Sequence, residues 1–469
     1  MTGTVVVVGG GISGLAAAHR LRTRLGPDTR IVLVEQAGRL GGKLRTVGLA
    51  GTPTDVGAEA FVLRNPAAID LVTELGLAGR LINPQRAAAT IRAAGRTVPL
   101  PRRTFLGVPA DAGQVREVLG DEMADRVAAE PTLPPLEVTD DVAVGEVLAE
   151  RFGRELVDYL VEPLLGGVYA GRADRLGLQA TMPALVDALG PAGGSLTAAA
   201  ARVLGPQAPA GTEPRPVFGA LRGGMAVLVD ELHRQANPDT RLGFPVRELS
   251  RDATGWRLEI GSPGRAEVLH ADAVVLAVPP PAARRLLAGA VPAAAAAFAG
   301  IEVGSMAVLS MVLPEGVTLP DTSGVLLAVG ERHADGTPFT AKAFTHTSVK
   351  WGGTPVRLRA SIGRVGETDL LRRDDADLLA AVRADLRELT GVDAEPADWT
   401  LTRWGGGLPQ YGVGHAAAVT TIERAVADVP GLAVAGASFH GVGIPACVDG
   451  ARAAADRVAA HLMARAGTG

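Results

Sequence analysis

The chain has 469 residues, 47% of them hydrophobic and 20% charged, a length that allows about three ordinary domains around a large buried core. Its 46 basic and 50 acidic side chains leave a formal charge of −4 and aromatics make only 3% of the sequence, which excludes the basic field of a general nucleic-acid binder and the stacking surface of a single-strand binder. The single cysteine, Cys447, excludes an internal disulfide, a multi-cysteine zinc site and an iron–sulfur cluster held by this chain alone.

The first residues are apolar but carry no basic leader and are broken by three consecutive glycines, so they read as a strand rather than a secretory signal. The apolar runs at 291–301 and 306–313 fall short of the ~20 residues of a membrane span, and the expected location is the cytoplasm, with at most peripheral membrane contact. TVVVV, a glycine-rich turn, an apolar-periodic stretch at 15–25 and RIVLVE then give a β-α-β unit with buried parallel strands. A helix is expected over 66–81, and a hairpin turning at Ala94 and Gly95 follows it. Residues 105–214 read as mostly helical, with VGEVLAERFGRELVDYLVEPLL carrying apolar residues at helical spacing and a proline- and glycine-rich loop at 205–217. An amphipathic helix follows LRGG, and FPVREL, WRLEI and EVLHADAVVLAVP supply strands. Strands rich in Val, Leu and Met, with one helix at 376–389, fill 300–402, and the chain closes as strand, glycine-rich turn and helix.

The expected fold class is therefore α/β, with a discontinuous Rossmann-like nucleotide domain (1–85, 215–299 and 403–469), an inserted α+β substrate domain (86–104 and 300–402) and a mostly helical domain (105–214).

Gly9, Gly11 and Gly14 form G-x-G-x-x-G between a strand and a helix, and Glu35 ends the next strand 21 residues beyond Gly14. This context marks a dinucleotide site: the glycines (with Gly10, Ile12 and Ser13) permit close approach of the pyrophosphate to a helix N-terminus, and the acid accepts ribose hydroxyls. A second glycine turn follows at once, bringing Arg39, Gly42, Lys43 and Arg45 toward the same pyrophosphate, which an NAD dehydrogenase does not need. A C-terminal strand leads through Gly436 and a glycine-rich turn into a helix starting near Pro445, whose N-terminus would stabilise negative charge on a reduced flavin. The three parts together favour FAD over NAD.

The segments GGGISGL, the GGKLR that follows Glu35, LRGGMAVL, PVREL, LPQYGVGH and AGASFHGVGIPACVDGARAAADRV resemble the protoporphyrinogen/coproporphyrinogen oxidase family over nearly the whole chain. LPQYGVGH is the most family-specific piece, and DVGAEAFVLRNP and TVPLPRRTFLGVPAD look more like the coproporphyrinogen III oxidases. The resemblance implies an amine-oxidase-like flavoprotein architecture and FAD contacts from Gly9 to Gly14, Glu35, Gln36, Lys43, Gly57, Ala58, Glu59, Ala60, Val246 at the adenine, Trp404, Val442, Gly443 and Ile444. It implies oxidation of coproporphyrinogen III to coproporphyrin III in haem biosynthesis, in three two-electron steps at flavin N5, with molecular oxygen as acceptor, hydrogen peroxide as product and contact with a ferrochelatase as a further expectation. Protoporphyrinogen IX oxidation, action on another apolar substrate, or a non-catalytic FAD-containing porphyrin-binding protein are the alternatives.

The sequence departs from the mitochondrial pattern where Glu59 stands in place of an arginine, an acid that would repel a substrate propionate and that resembles the coproporphyrinogen type, and it departs from some members of that type where Asn65 and Pro66 replace lysines. Arg64, Arg92 and Arg96 are the candidate propionate contacts. No metal site is expected. His440 is a weak candidate proton carrier against a reading as an exposed turn residue, and Cys447 reads as a packing cysteine rather than a covalent flavin link.

Overall fold

The computed structural model describes residues 3–190, 192–206 and 216–467. Residues 207–215 of the loop expected at 205–217, and with them the boundary at 214/215, lie outside the described residues. The nucleotide core is a five-stranded parallel sheet in the order Asp239–Leu242, Arg30–Glu35, Thr4–Val8, Ala273–Leu276, Leu432–Val434. Its inner strands are apolar on both sides because both faces are covered, while the edge strand Asp239–Leu242 is polar. Val5, Val7, Ile31 and Leu33 face the helices Ile12–Leu25, Ala67–Glu74, Ala226–Ala236 and Ile444–Gly467. Val6, Val8, Val32 and Val34 face a three-stranded antiparallel sheet (Val246–Arg251, Trp256–Ile260, Glu267–Ala271) and the helices Pro280–Leu287, Pro292–Phe298 and His415–Ala427.

The second body is a seven-stranded sheet in the order Asp398–Pro409, Val303–Val312, Arg357–Ile362, Ala341–Thr345, Gly324–Leu327, Ala89–Ala93, Arg96–Pro99. One face packs Ala307, Leu309, Met311, Leu358 and Ala360 with Val382 and Leu386 of the helix Asp375–Thr390. The helical module around Leu148, Phe152, Leu160 and Leu165 lies over the edge built from Ile91 and Leu326.

Three expectations are corrected. The boundary placed between 402 and 403 cuts a strand, because Asp398–Pro409 stays paired with Val303–Val312 through Trp404, which faces Met306. The helix expected over 66–81 stops at Glu74, since Gly76 at φ +75° and the Leu77 N–H bond to Val72 O close it as a Schellman cap, after which Ala78–Arg80 forms one 3₁₀ turn. The single helix of 300–402 is joined by two short ones, Thr347–Trp351 and Thr368–Arg372. Within the helical module Gly153, at φ +97°, splits the apolar-periodic stretch after Phe152.

Candidate functional site

The first glycine turn is shaped by packing that no side chain could share. A Cβ on Gly9 would stand 2.3 Å from Ala277 O, and one on Gly14 would stand 1.8 Å from Gly9 O, so the helix Ile12–Leu25 seats directly on the strand before it. A Cβ on Gly11 meets nothing within 4 Å, so its backbone is open to a ligand at the helix N-terminus, where Ile12 and the buried Ser13 begin the first turn. Gly10 N–H donates to Glu35 Oε2 and Ala37 N–H to Glu35 Oε1, both at 2.7 Å. The carboxylate is thereby fixed, and each oxygen keeps a lone pair for a ribose hydroxyl. Gln36 is exposed beside it.

The second glycine turn stacks on the first. Gly41 N–H donates to Gly10 O at 2.8 Å, and a Cβ on Gly42 would lie 3.2 Å from Gly11 Cα. Arg39 is tied back to Leu40 O and Gly42 O, and its guanidinium lies 5.9 Å from the centre of the Trp404 ring. Burial lowers the pKa of Arg39, with Arg45 adding repulsion, and burial lowers that of Lys43 as well. Lys43 forms no ion pair among the described residues, so a desolvated cation without an acid partner stands beside the two glycine turns.

Val56, Gly57 and Ala58 run alongside this turn: Val56 N–H donates to Arg45 O and Ala58 N–H to Lys43 O, each at 3.0 Å. Trp404 Nε1 donates to Val56 O at 3.0 Å, and a Cβ on Gly57 would collide with Lys43 O at 2.0 Å. Arg359 Nη1 donates to Gly57 O at 2.9 Å. Glu59, just before Ala60, pairs with Lys350 at 2.7 Å and Arg359 at 3.3 Å. Burial alone would raise its pKa, but Arg359 and Lys350 outweigh that and hold it at about 2. The expectation that Glu59 repels a propionate is therefore corrected: the acid is already matched, and the triad as a whole carries one positive charge.

At the far end, a Cβ on Gly436 also meets nothing within 4 Å, and Val442 and Gly443 lead into the helix Ile444–Gly467. Tyr411, from LPQYGVGH, fixes this turn: its hydroxyl donates to Ala437 O at 2.8 Å and accepts from Gly441 N–H at 2.9 Å, while its ring stacks on His415 at 3.9 Å. Gln410 beside it donates to Tyr169 O at 2.8 Å. Val246 is buried, its carbonyl taken by Arg285 Nη2 at 2.8 Å, and the Phe244 N–H bond to Glu35 O brings that strand beside the acid of the ribose position.

Other candidates lie elsewhere. His440 is exposed, with Nε2 2.7 Å from Glu423 Oε1, which corrects its reading as a proton carrier and leaves an outward turn residue. Cys447 is buried and its pKa is raised by burial against the opposing effects of Ser13 and Lys43, so the thiol stays protonated. Arg92 is consumed by Glu331 at 3.3 Å, which corrects its assignment to a propionate. Arg96 is exposed and donates to Glu117 O, and Arg64 is exposed on the segment beyond the strand Phe61–Val62. Lys350, Arg359 and Tyr411 join the site only through the fold. A sequence signal does exist for Arg359: a polar side chain repeated at period two, Arg357, Arg359 and Ser361, alternating with Leu358, Ala360 and Ile362.

The two glycine turns, the unpaired Lys43, the fixed Glu35 and the unobstructed backbones at Gly11 and Gly436 fit an extended FAD. A family model, flavin containing amine oxidoreductase, matches residues 12–459. A coproporphyrinogen III oxidase of Mycobacterium bovis is 41% identical, with 98% of both chains covered, and one of Bacillus subtilis is 30% identical at the same coverage. Among solved structures, a protein from Exiguobacterium sp. assigned as a protoporphyrinogen oxidase superposes with a TM-score of 0.83 at 31% identity, over 98% of this chain and 99% of that one. Cyclohexylamine oxidase from Brevibacterium oxydans shares the fold at a TM-score of 0.69 and 18% identity, over 98% and 99%. This chain is an FAD-dependent oxidoreductase of the flavin-containing amine oxidoreductases and belongs, within them, to the protoporphyrinogen/coproporphyrinogen oxidase family.

Proposed function

We propose that the protein oxidises coproporphyrinogen III to coproporphyrin III in haem biosynthesis, with oxygen as the final acceptor. The observation that carries this reading is the full-length similarity to the coproporphyrinogen III oxidase of Mycobacterium bovis. The geometry that supports it is the cationic triad beside the Gly57 turn. Bound FAD supplies a two-electron acceptor that oxygen restores with release of hydrogen peroxide, and three such rounds account for the six-electron dehydrogenation.

The chain's own work is placement. Arg359 locks the Gly57 carbonyl and Trp404 the Val56 carbonyl, so the turn beside the flavin cannot rotate. Lys350 and Arg359 share one acid, and the surplus charge suits one propionate of a tetracarboxylate, with Lys350 also lying 5.5 Å from the Phe218 ring centre. Anaerobic mixing of the flavin-loaded protein with coproporphyrinogen III, and separately with protoporphyrinogen IX, tests the reading. Faster bleaching by the first is expected. Faster bleaching by the second assigns protoporphyrinogen IX oxidation instead, and bleaching by neither removes the dehydrogenase reading. A Lys350→Met variant should raise KM for the tetrapropionate about tenfold, the equivalent of one charge-assisted contact of ~1.5 kcal/mol, and more than for the dipropionate. Equal effects on both would remove Lys350 from carboxylate binding.

A further inference from the structure

A cavity of about 720 Å³ opens between the strand Ala341–Thr345, residues 333–340, the turn after Ile362 and the helix Asp375–Thr390. No residue of the flavin cradle lines it. Four Lys and Arg side chains do: Lys342 and Arg364, which are withdrawn from solvent, and Arg373 and Arg387, which are exposed. Lys342 sits at a bulge, where Ala341 pairs with Ile362 and Ala343 with Ser361, and is only 4% exposed. Its Nζ donates to Gly166 O at 2.9 Å, in the helix Glu162–Tyr169. Arg364 lies against the same helix: a Cβ on Gly166 would come within 3.2 Å of its Nε. That Nε is buried and has no hydrogen-bond partner.

Neither Lys342 nor Arg364 forms an ion pair among the described residues, because the acids nearest them are engaged elsewhere. Glu367 takes Arg172 at 2.5 Å and the Arg364 backbone N–H at 2.9 Å. Glu162 takes Arg172 at 3.5 Å and the Ala173 N–H at 2.5 Å. Asp385 accepts from His333 and from the Thr340 and Ala341 amides, and Asp335 from Thr337. Two desolvated like charges side by side are costly unless an anion meets them. On the cavity's outer part stand exposed Arg373, Arg387 and Glu388.

We propose that this cavity binds a small anion of the carboxylate or phosphate class, held between Lys342 Nζ and the Arg364 guanidinium. Burial, with Arg364 adding repulsion, lowers the pKa of Lys342 to about 7. Glu367 and Glu162 are bonded to Arg172 and Asp385 to His333, and Asp335, Arg373, Arg387 and Glu388 also line the cavity, so protonation of Lys342 adds one positive charge beside Arg364. Anion binding is therefore strongest below pH 7 and weakens as pH rises.

Calorimetric titration of the flavin-loaded protein with inorganic phosphate and with propionate, at pH 6.5 and 8.5 in chloride-poor buffer, tests this. Binding of at least one probe is expected, at least threefold weaker at the higher pH, lost in Lys342→Met and weakened tenfold or more in Arg364→Met. Arg364→Lys, which keeps a charge, should retain part of the affinity. Coproporphyrin III that displaces the probe identifies the anion as a carboxylate of the porphyrin, and failure to displace it identifies a free small anion. No heat from either probe with the unmodified protein, or affinity unchanged in both methionine variants, overturns the proposal.

Discussion

Gly11 and Gly14 occupy one motif but answer to different demands. Gly14 is required by the fold itself, since its Cβ would sit 1.8 Å from Gly9 O, whereas Gly11 has φ −77° and a methyl added there would meet nothing within 4 Å. Gly14→Ala should lower the thermal midpoint of the flavin-free protein by several degrees. Gly11→Ala should leave that midpoint within a degree and instead weaken FAD binding, both measurable by thermal unfolding with and without added FAD; equal loss of stability in the two would refute the distinction. Glu59 makes the opposite case. Its partners stand 291 and 300 residues away in sequence, so its neighbours alone give no sign that its charge is matched. Held at about 2 rather than the ordinary 4.5, the carboxylate contributes about 3 kcal/mol. The contribution is intact above pH 4.5 and is lost as pH falls toward 2. Glu59→Gln should cost a comparable amount in urea unfolding at pH 7, flatten the acid limb below pH 4.5, and lower KM for the tetrapropionate by freeing a second cation. An unchanged KM would separate the triad from the substrate.

Elements are legible where their signal is local. The β-α-β unit, the hairpin at Ala94 and Gly95 and the last helix can be read from periodicity and glycine placement because those signals lie within each segment, even though the last helix packs on Ile12–Leu25 from the other end of the chain. The role of LPQYGVGH cannot, since it depends on a turn lying about 25 residues later: Tyr411 bonds Ala437 O and Gly441 N–H, clamping the passage from the strand Leu432–Val434 into the helix Ile444–Gly467. Removing the hydroxyl leaves a buried ring in place and frees both backbone groups. Tyr411→Phe should therefore cost ~1–3 kcal/mol, the range for losing partners of buried polar groups. Because the freed groups bound the turn that carries Val442 and Gly443, the same change should weaken FAD binding about tenfold, as measured by flavin fluorescence on dilution. A stability loss with unchanged FAD affinity would confine Tyr411 to the packing of Tyr169 and His415.

At the scale of the whole molecule, the pairing of Ala89–Ala93 with Gly324–Leu327 is beyond the reach of local pattern, as is the order of the seven-stranded sheet, because strand propensity does not say which distant edge a strand will meet. Bonds that join that sheet and its connections to the nucleotide body include Ala50 N–H to Asp398, Gln85 N–H to Lys350 O and, at one turn, Trp404 to Val56, Arg359 to Gly57, and Lys350 and Arg359 to Glu59. The turn of Val56 and Gly57 also bonds to Lys43 and Arg45 of the second glycine turn, whose geometry fits FAD. A ligand held on one side of this seam therefore stabilises both bodies. By mass action, FAD at a hundred times its dissociation constant adds ~2.7 kcal/mol to the state that binds it. Calorimetry of the flavin-loaded protein should show one transition whose midpoint climbs with added FAD. In Trp404→Phe, which keeps the ring against Gly57 but loses the bond to Val56 O, the nucleotide body should still respond to FAD while the seven-stranded sheet melts earlier and independently. If that variant keeps a single FAD-dependent transition, the coupling runs through the Glu59 triad, and combining Trp404→Phe with Lys350→Met should then split it.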